Sequence, residues 1–180
     1  MTTILLARHG ETDWNRDHRV QGHSDTLLND AGRAQARALA AELAGETIDA
    51  VYSSDLARAH ETARILAESR GLHVITVRDL RERHFGTWEG LTDDEVLARF
   101  PHAADRPWGD AETQEEMGER VFAALRRIGE AHPDQRVLVV SHGGPLRRVL
   151  AHCGVDEVDR IDNCHVVRIE IVDGAVRGLD

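Results

Sequence analysis

Val137-Leu138-Val139-Val140-Ser141-His142-Gly143-Gly144 joins four aliphatic residues to a histidine and two glycines. An apolar run of this length without polar alternation reads as a strand buried on both faces, the kind found in parallel sheets covered by helices. The chain opens on the same design. Ile4-Leu5-Leu6 leads into Ala7-Arg8-His9-Gly10-Glu11-Thr12, where glycine lets the backbone turn in a place a side chain would block. In an open α/β sheet, ligands bind at the carboxyl ends of parallel strands. If the two strands are neighbours, His9 and His142 share one cleft.

The intervening chain supplies the helices. Asp13 to Asn29 is polar and too irregular for helix or strand, and it carries Asn15, Arg19, Gln21 and Gly22. A loop this long at a strand end is usually either functional or disordered. Asp30-Ala31-Gly32 starts a helix reaching Gly45. Ile48 to Tyr52 reads as a strand, with Ser53-Ser54-Asp55 capping a helix from Leu56 to about Arg70 that Gly71 closes. Val74 to Val77 is a third strand. After the charged, glycine-punctuated stretch Leu80 to Gly90, a short helix is expected over Thr92 to Phe100. A longer one follows over Glu112 to Ala131, with Met117, Val121, Leu125 and Ile128 on one face. Pro145 suits the first turn of a helix reaching about Cys153. Val166 to Val172 alternates as a last strand before the Asp173-Gly174 turn. If its edge is exposed, a homodimer through it is possible. The expected fold is an α/β three-layer sandwich with a central, mostly parallel sheet and helices on both faces.

Composition narrows the function. The 180 residues fit one domain with a substantial core. The net charge of −10 argues against nucleic acid as a partner. Every one of the 22 basic residues is arginine, which excludes a Walker-A lysine and a lysine Schiff base. Cys153 and Cys164 form no CxxC pair and read as reduced thiols of a cytoplasmic protein. No signal peptide and no membrane-spanning run is expected. The 11 histidines do not fall into HxH or HExxH spacings, so no metal and no cofactor is expected. His18, His73, His102, His132 and His152 read as surface or edge residues.

The chemistry sits at the strand ends. An unprotonated histidine is a nucleophile, and arginine is a permanent planar cation suited to phosphate. Phosphoryl transfer needs fixed positive charge around the transferring oxygens, an oriented nucleophile and a proton for the leaving alkoxide. Arg8, Arg58 and His142 can supply the first, helped by the helix N-terminus after Gly144; His9 can supply the second. Glu82, just after the third strand, is the best-placed acid. Each residue alone has a plainer reading. His9 could be a satisfied strand-end histidine, Arg58 a surface helix residue, and Glu82 one member of the charge run Arg81 to His84. Glu11 and Glu89 are alternative acids, Arg64 reads as surface, and Trp14 and Trp88 as packing residues.

Four ordered blocks resemble the histidine phosphatase superfamily, also called phosphoglycerate-mutase-like. They are Arg8-His9-Gly10-Glu11-Thr12 with Asn15 and Arg19-Val20-Gln21-Gly22; Ser54-Asp55-Leu56-Ala57-Arg58-Ala59 with Thr62-Ala63; Leu80-Arg81-Glu82 with Phe85-Gly86-Thr87-Trp88-Glu89-Gly90; and Ser141-His142-Gly143-Gly144. The resemblance implies that His9 becomes phosphohistidine inside a pocket of Arg8, Arg58 and His142. Glu82 would protonate the leaving group and then activate water. Asn15 and the backbone at Gly143 would add phosphate contacts, with Gln21 and Gly22 lining the pocket. His142 would be protonated while phosphate is bound.

The resemblance leaves three functions: a phosphatase acting on a small-molecule phosphate ester, a phosphoglycerate mutase, or a phospholigand-binding module. Mutases of the family resemble longer chains carrying an arginine-rich insertion that this chain lacks. A lid-like insertion is expected over about 83–113. The stretch Asp93 to Glu119 carries nine carboxylates against Arg99 and Arg106, a balance that disfavours multiply charged substrates. Both points favour hydrolysis, with Arg106 and Trp108 as candidate lid contacts. Ala111-Glu112-Thr113 departs from the Gly-Glu-Ser of many members.

Overall fold

In a computed structural model describing residues 1–101, 111–155 and 160–179, the strongest apolar run forms β4 (Arg136–Ser141). It lies beside β1 (Thr2–Arg8) and parallel to it, with Ala7 opposite Val140 and Arg8 opposite Ser141. On its other side lie β2 (Ala50–Ser53) and β3 (Val74–Thr76), both parallel. β5 (Val166–Val172) pairs antiparallel with β1, and β6 (Ala175–Gly178) antiparallel with β5. The sheet order is β3-β2-β4-β1-β5-β6.

Side chains alternate across this sheet with the two-residue period of a strand. Ile4, Leu6, Val137 and Val139 face one core, Leu5, Ala7, Leu138 and Val140 the other, and all eight are fully buried. The second core is closed by α2 (Asp30–Glu42) and α3 (Ala57–Glu68). The first is closed by α5 (Gln114–Ala131), through Met117, Val121, Leu125 and Ile128, and by α6 (Gly143–His152), through Leu146 and Val149. Two helical layers around one sheet make the expected three-layer sandwich.

The local expectations fail where side chains find distant partners. Asp55 does not cap α3: its carboxylate takes a two-pronged ion pair from Arg81, both contacts at 2.7 Å. The Ala57 amide donates instead to Asp25, 32 residues earlier, at 2.7 Å. The polar stretch after β1 contains one short helix, α1 (Asp13–Arg16), set by a reciprocal cap between Thr12 and Asn15. α4 (Asp93–Arg99) and α5 carry equivalent caps, Thr92 with Glu95 and Thr113 with Glu116, so Ala111-Glu112-Thr113 leads into a normal helix start. β5 is neither the last strand nor an edge, because β6 covers it; the homodimer pairing considered for β5 is therefore closed off. Among the described residues, no helix is long and apolar enough to cross a membrane.

Candidate active site

The two histidines meet because β1 and β4 are neighbours in register. The His9 amide donates to the Ser141 carbonyl at 3.0 Å, and the two imidazoles lie 5.1 Å apart, edge to face. The Gly10 amide donates to Thr62 Oγ1 at 3.1 Å, and that hydroxyl donates to the Arg58 carbonyl at 2.7 Å. These two bonds lock the end of β1 to α3. Gly10 is required by close approach rather than by an unusual turn, since a Cβ there would stand 2.5 Å from the Gly32 carbonyl oxygen of α2.

His9 has one defined tautomer. Its Nδ1 lies 2.7 Å from the Gly10 carbonyl. A carbonyl only accepts, so Nδ1 carries the proton and Nε2 keeps the lone pair. Burial, with the charges of Arg58 and Arg8, pushes the His9 imidazolium well below the ordinary histidine range. His142 is pushed the same way by burial, Arg58, His9 and Arg8. Both rings are thus neutral at pH 7 with only these neighbours. A protonated His142 needs the negative charge of an anion between the arginines.

Neutral buried rings also set a pH dependence. The unfolded chain gains protons on these histidines below about pH 6.5, where the folded protein does not. Stability is therefore full above that pH and falls as pH drops toward the lower folded values. The urea midpoint is expected to fall between pH 7 and 5, and to fall less in His142→Asn. Equal slopes for the two proteins would mean that His142 is not depressed.

The cations are held from behind. Arg58 is fully buried. It donates through Nη2 to the Gly22 carbonyl and through Nη1 to the Ser24 carbonyl, both at 2.8 Å. Burial lowers it to about 10, which leaves it charged at neutral pH. Arg8 donates through Nη1 to the Ile161 carbonyl. Arg8 Nε, Arg58 Nε and both ring nitrogens of His142 are buried and have no hydrogen-bond partner among the described residues. Leaving buried polar groups unpaired costs about 1–3 kcal/mol each. A group presenting several acceptor oxygens would satisfy them, and a phosphoryl group is such a group.

Gln21 and Gly22 support this grip. Gln21 Oε1 accepts from Thr12 and Thr26 at 2.9 and 2.6 Å. Gly22 sits at φ +52, where its missing Cβ leaves room for Glu89. Glu89, the alternative acid, is fully engaged: it accepts from the His23 and Ser24 amides, the Ser24 hydroxyl and the Phe85 amide at 2.6 to 3.1 Å. It thereby fixes the segment whose carbonyls hold Arg58. Glu89→Gln is expected to raise KM for aryl phosphates and the inhibition constant of inorganic phosphate by a similar factor, on the order of tenfold. A fall in kcat alone, with both constants unmoved, would detach Glu89 from the grip.

Glu82 faces the same region from the segment after β3. Its Oε2 accepts from the Gly144 amide at 3.0 Å and its Oε1 from the Arg83 amide at 2.8 Å. A Cβ on Gly144 would stand 2.1 Å from Oε1, so glycine at 144 is what admits the carboxyl. The segment is clamped on every side. Arg120 of α5 donates to the carbonyls of Asp79, Arg81 and Glu82 at 2.7 to 2.9 Å. His23 Nε2 donates to the Glu82 carbonyl at 2.8 Å, and Ser141 Oγ to the Leu80 carbonyl at 2.7 Å. The residues around Glu82 form a partnered network, not a solvated charge run.

A cavity of about 310 Å³ opens here, lined by Arg8, Asn15, Glu82, Gly143 and Gly144, with Trp14 in its wall. The profile of the histidine phosphatase superfamily, branch 1, matches residues 4–178. The chain belongs to this superfamily. Phosphoglycerate mutase-like protein 4 of Arabidopsis thaliana is 43% identical over 185 residues, 95% of this chain and 80% of that protein. Metal-independent phosphoserine phosphatase of the same plant is 40% identical over 160 residues, 83% of this chain and 67% of that protein. The solved structure of Bacillus stearothermophilus YhfR superposes with a TM-score of 0.91 at 32% identity, covering 99% of this chain and 95% of that one.

Within the superfamily frame, the four sequence blocks converge on the carboxyl ends of β1, β4 and β2 and on the segment after β3. Reading the sequence missed Arg120, His23 and Asn163. Asn163 donates to the His9 carbonyl at 3.0 Å and to Asn15 Oδ1 at 3.3 Å. Arg120 carried a faint signal, one turn beyond Met117 beside the apolar face of α5. In the acidic stretch, Glu95 and Glu116 accept the Thr92 and Thr113 amides at helix starts, Glu112 pairs with Arg120, and Asp93 lines the cavity. Arg106, Trp108 and His102 lie outside the described residues. Arg64, His18, His73 and His152 are exposed as expected, although His18 also lines the cavity. His132 is half-buried against the Tyr52 hydroxyl.

Proposed function

We propose that this protein is a phosphomonoesterase acting on a small phosphorylated metabolite through a phosphohistidine on His9. The observation that carries the reading is the fixed His9 tautomer, its ring 5.1 Å from that of His142 and under the charges of Arg58 and Arg8, whose Nε atoms, like both His142 ring nitrogens, have no partner among the described residues. In the first step Nε2 attacks phosphorus and the phosphorus–alkoxide bond breaks, while the Glu82 carboxyl protonates the departing oxygen. Arg8, Arg58 and His142 hold the non-bridging oxygens, with Asn15 and the backbone at Gly143 beside them. In the second step water attacks the phosphohistidine, Glu82 takes its proton, and inorganic phosphate leaves.

The arginines and His142 supply the positive charge, so the chemistry runs without a metal. One relative's name, metal-independent phosphoserine phosphatase, fits this reading. A mutase would return the phosphoryl group to a substrate held away from water; the segments described around His9 carry no arginine-rich insertion for that purpose. The free thiols Cys153 and Cys164 suit a reducing, cytoplasmic setting. We read the chain as one domain; of the lid-like insertion expected over about 83–113, residues 102–110 lie outside the described residues.

The test is phosphate release from an aryl phosphate in excess chelator, run beside exchange between 3- and 2-phosphoglycerate. Release undiminished by chelator is expected. Exchange with no release from any monoester would replace the phosphatase by a mutase, and neither activity would leave a phospholigand-binding module.

A further inference from the structure

The wall of the cavity beside His9 carries more positive charge than a phosphoryl pocket requires. Besides Arg8, it is lined by Arg19, Arg147 and Arg160, against the carboxylates Glu82 and Asp93. Arg19 is committed to the Gly90 carbonyl at 2.7 Å and to Glu95 at 3.4 Å. Arg147 and Arg160 come from separate elements. Arg147 lies one turn into α6, whose side chains tilt toward the helix N-terminus and hence toward the cavity. Arg160 precedes Ile161, whose carbonyl receives Arg8.

Resting on the phosphatase reading, we propose that Arg147 and Arg160 form a second anion subsite, which selects esters whose alcohol part carries a negative group. Like charges crowd here at an electrostatic cost. Arg8 is lowered chiefly by burial, and the charges of Arg160 and Arg147 add to the lowering, opposed by Glu82 and Asp162. An anion on the leaving group offsets that repulsion where two exposed arginines and a buried one share one space. The volume, about 310 Å³, is at the low end for small-molecule sites and suits a short alcohol. Carboxylate and a second phosphate share the required chemistry.

Two esters isolate the effect. 3-Phosphoglycerate and glycerol 3-phosphate differ only in a carboxylate against a hydroxymethyl group. Their binding to His9→Ala protein, read from tryptophan fluorescence, avoids turnover. The carboxylate ester is expected to bind about tenfold more tightly. The ratio should fall toward unity in Arg147→Met/Arg160→Met and with rising salt. Equal affinities, or a ratio that survives the double substitution, would overturn the subsite. 2,3-Bisphosphoglycerate separates the two anion sources: tighter binding than 3-phosphoglycerate, lost in the double variant, assigns the subsite to phosphate, and weaker binding assigns it to carboxylate. Turnover of an aryl phosphate by the wild type is scored separately, so a binding preference without turnover leaves the subsite standing and removes the phosphatase.

Discussion

Replacing His9 by alanine is expected to lower phosphate release from every monoester by at least about 10⁴-fold, because the substitution removes the atom that forms the covalent intermediate. The remaining groups still bind. Arg58 keeps its bonds to the Gly22 and Ser24 carbonyls, and Arg8 its bond to the Ile161 carbonyl, none of which passes through the imidazole. Inorganic phosphate should therefore inhibit the wild type and bind the variant with affinities within a few-fold of each other. The fold should also survive, since the His9 amide and carbonyl, which bond Ser141 and Asn163, are backbone groups. Rapid quenching of wild-type protein with labelled ester should trap label on histidine, stable in alkali and lost in acid, and the variant should trap none. Substantial release by His9→Ala would mean that water attacks the ester directly and would end the covalent reading.

What the sequence exposes and hides follows from the range of the forces involved. The apolar runs at Ile4 and Val137 are local patterns, and they alone reveal the buried strands. That these strands are neighbours is a non-local fact of strand order. The shared Ser-His-Gly and Arg-His-Gly endings suggest it, but only the register of Arg8 against Ser141 establishes it. Asp55 shows the limit most plainly. Its position before a helix fits a cap, yet a guanidinium 26 residues away offers a charge-assisted pair, and Asp25 takes over the capping. Glu89 was legible as an acid but not as a clamp, because its partners are backbone amides of a loop 65 residues distant. The acidic run is likewise silent about partners: Glu95 and Glu116 accept the Thr92 and Thr113 amides at helix starts, and Glu112 pairs with Arg120.

Glu82→Gln separates the two halves of the proposed cycle. The amide is close in shape and can still accept a backbone hydrogen bond from Arg83 or Gly144, but it cannot donate a proton to an alkoxide. kcat/KM reports events up to the first irreversible step, loss of the alcohol. For alkyl phosphates it should fall about 10²- to 10⁴-fold. For an aryl phosphate with an acidic phenol, which leaves without help, it should fall less than about tenfold. The second half behaves differently, because water attack on phosphohistidine is the same whatever alcohol has left. With the aryl ester, Glu82→Gln should release a burst of phenol equal to the enzyme present and then turn over slowly, with phosphohistidine accumulating. Gly144→Ala should move in the same direction by a smaller factor, since the added methyl lies within 2.1 Å of Glu82 Oε1 and displaces the carboxyl without deleting it. Equal losses in kcat/KM for alkyl and aryl esters, with no burst, would take the proton-donor role from Glu82. With Glu89 held by four backbone and hydroxyl donors, Glu11 would be the next carboxyl to test.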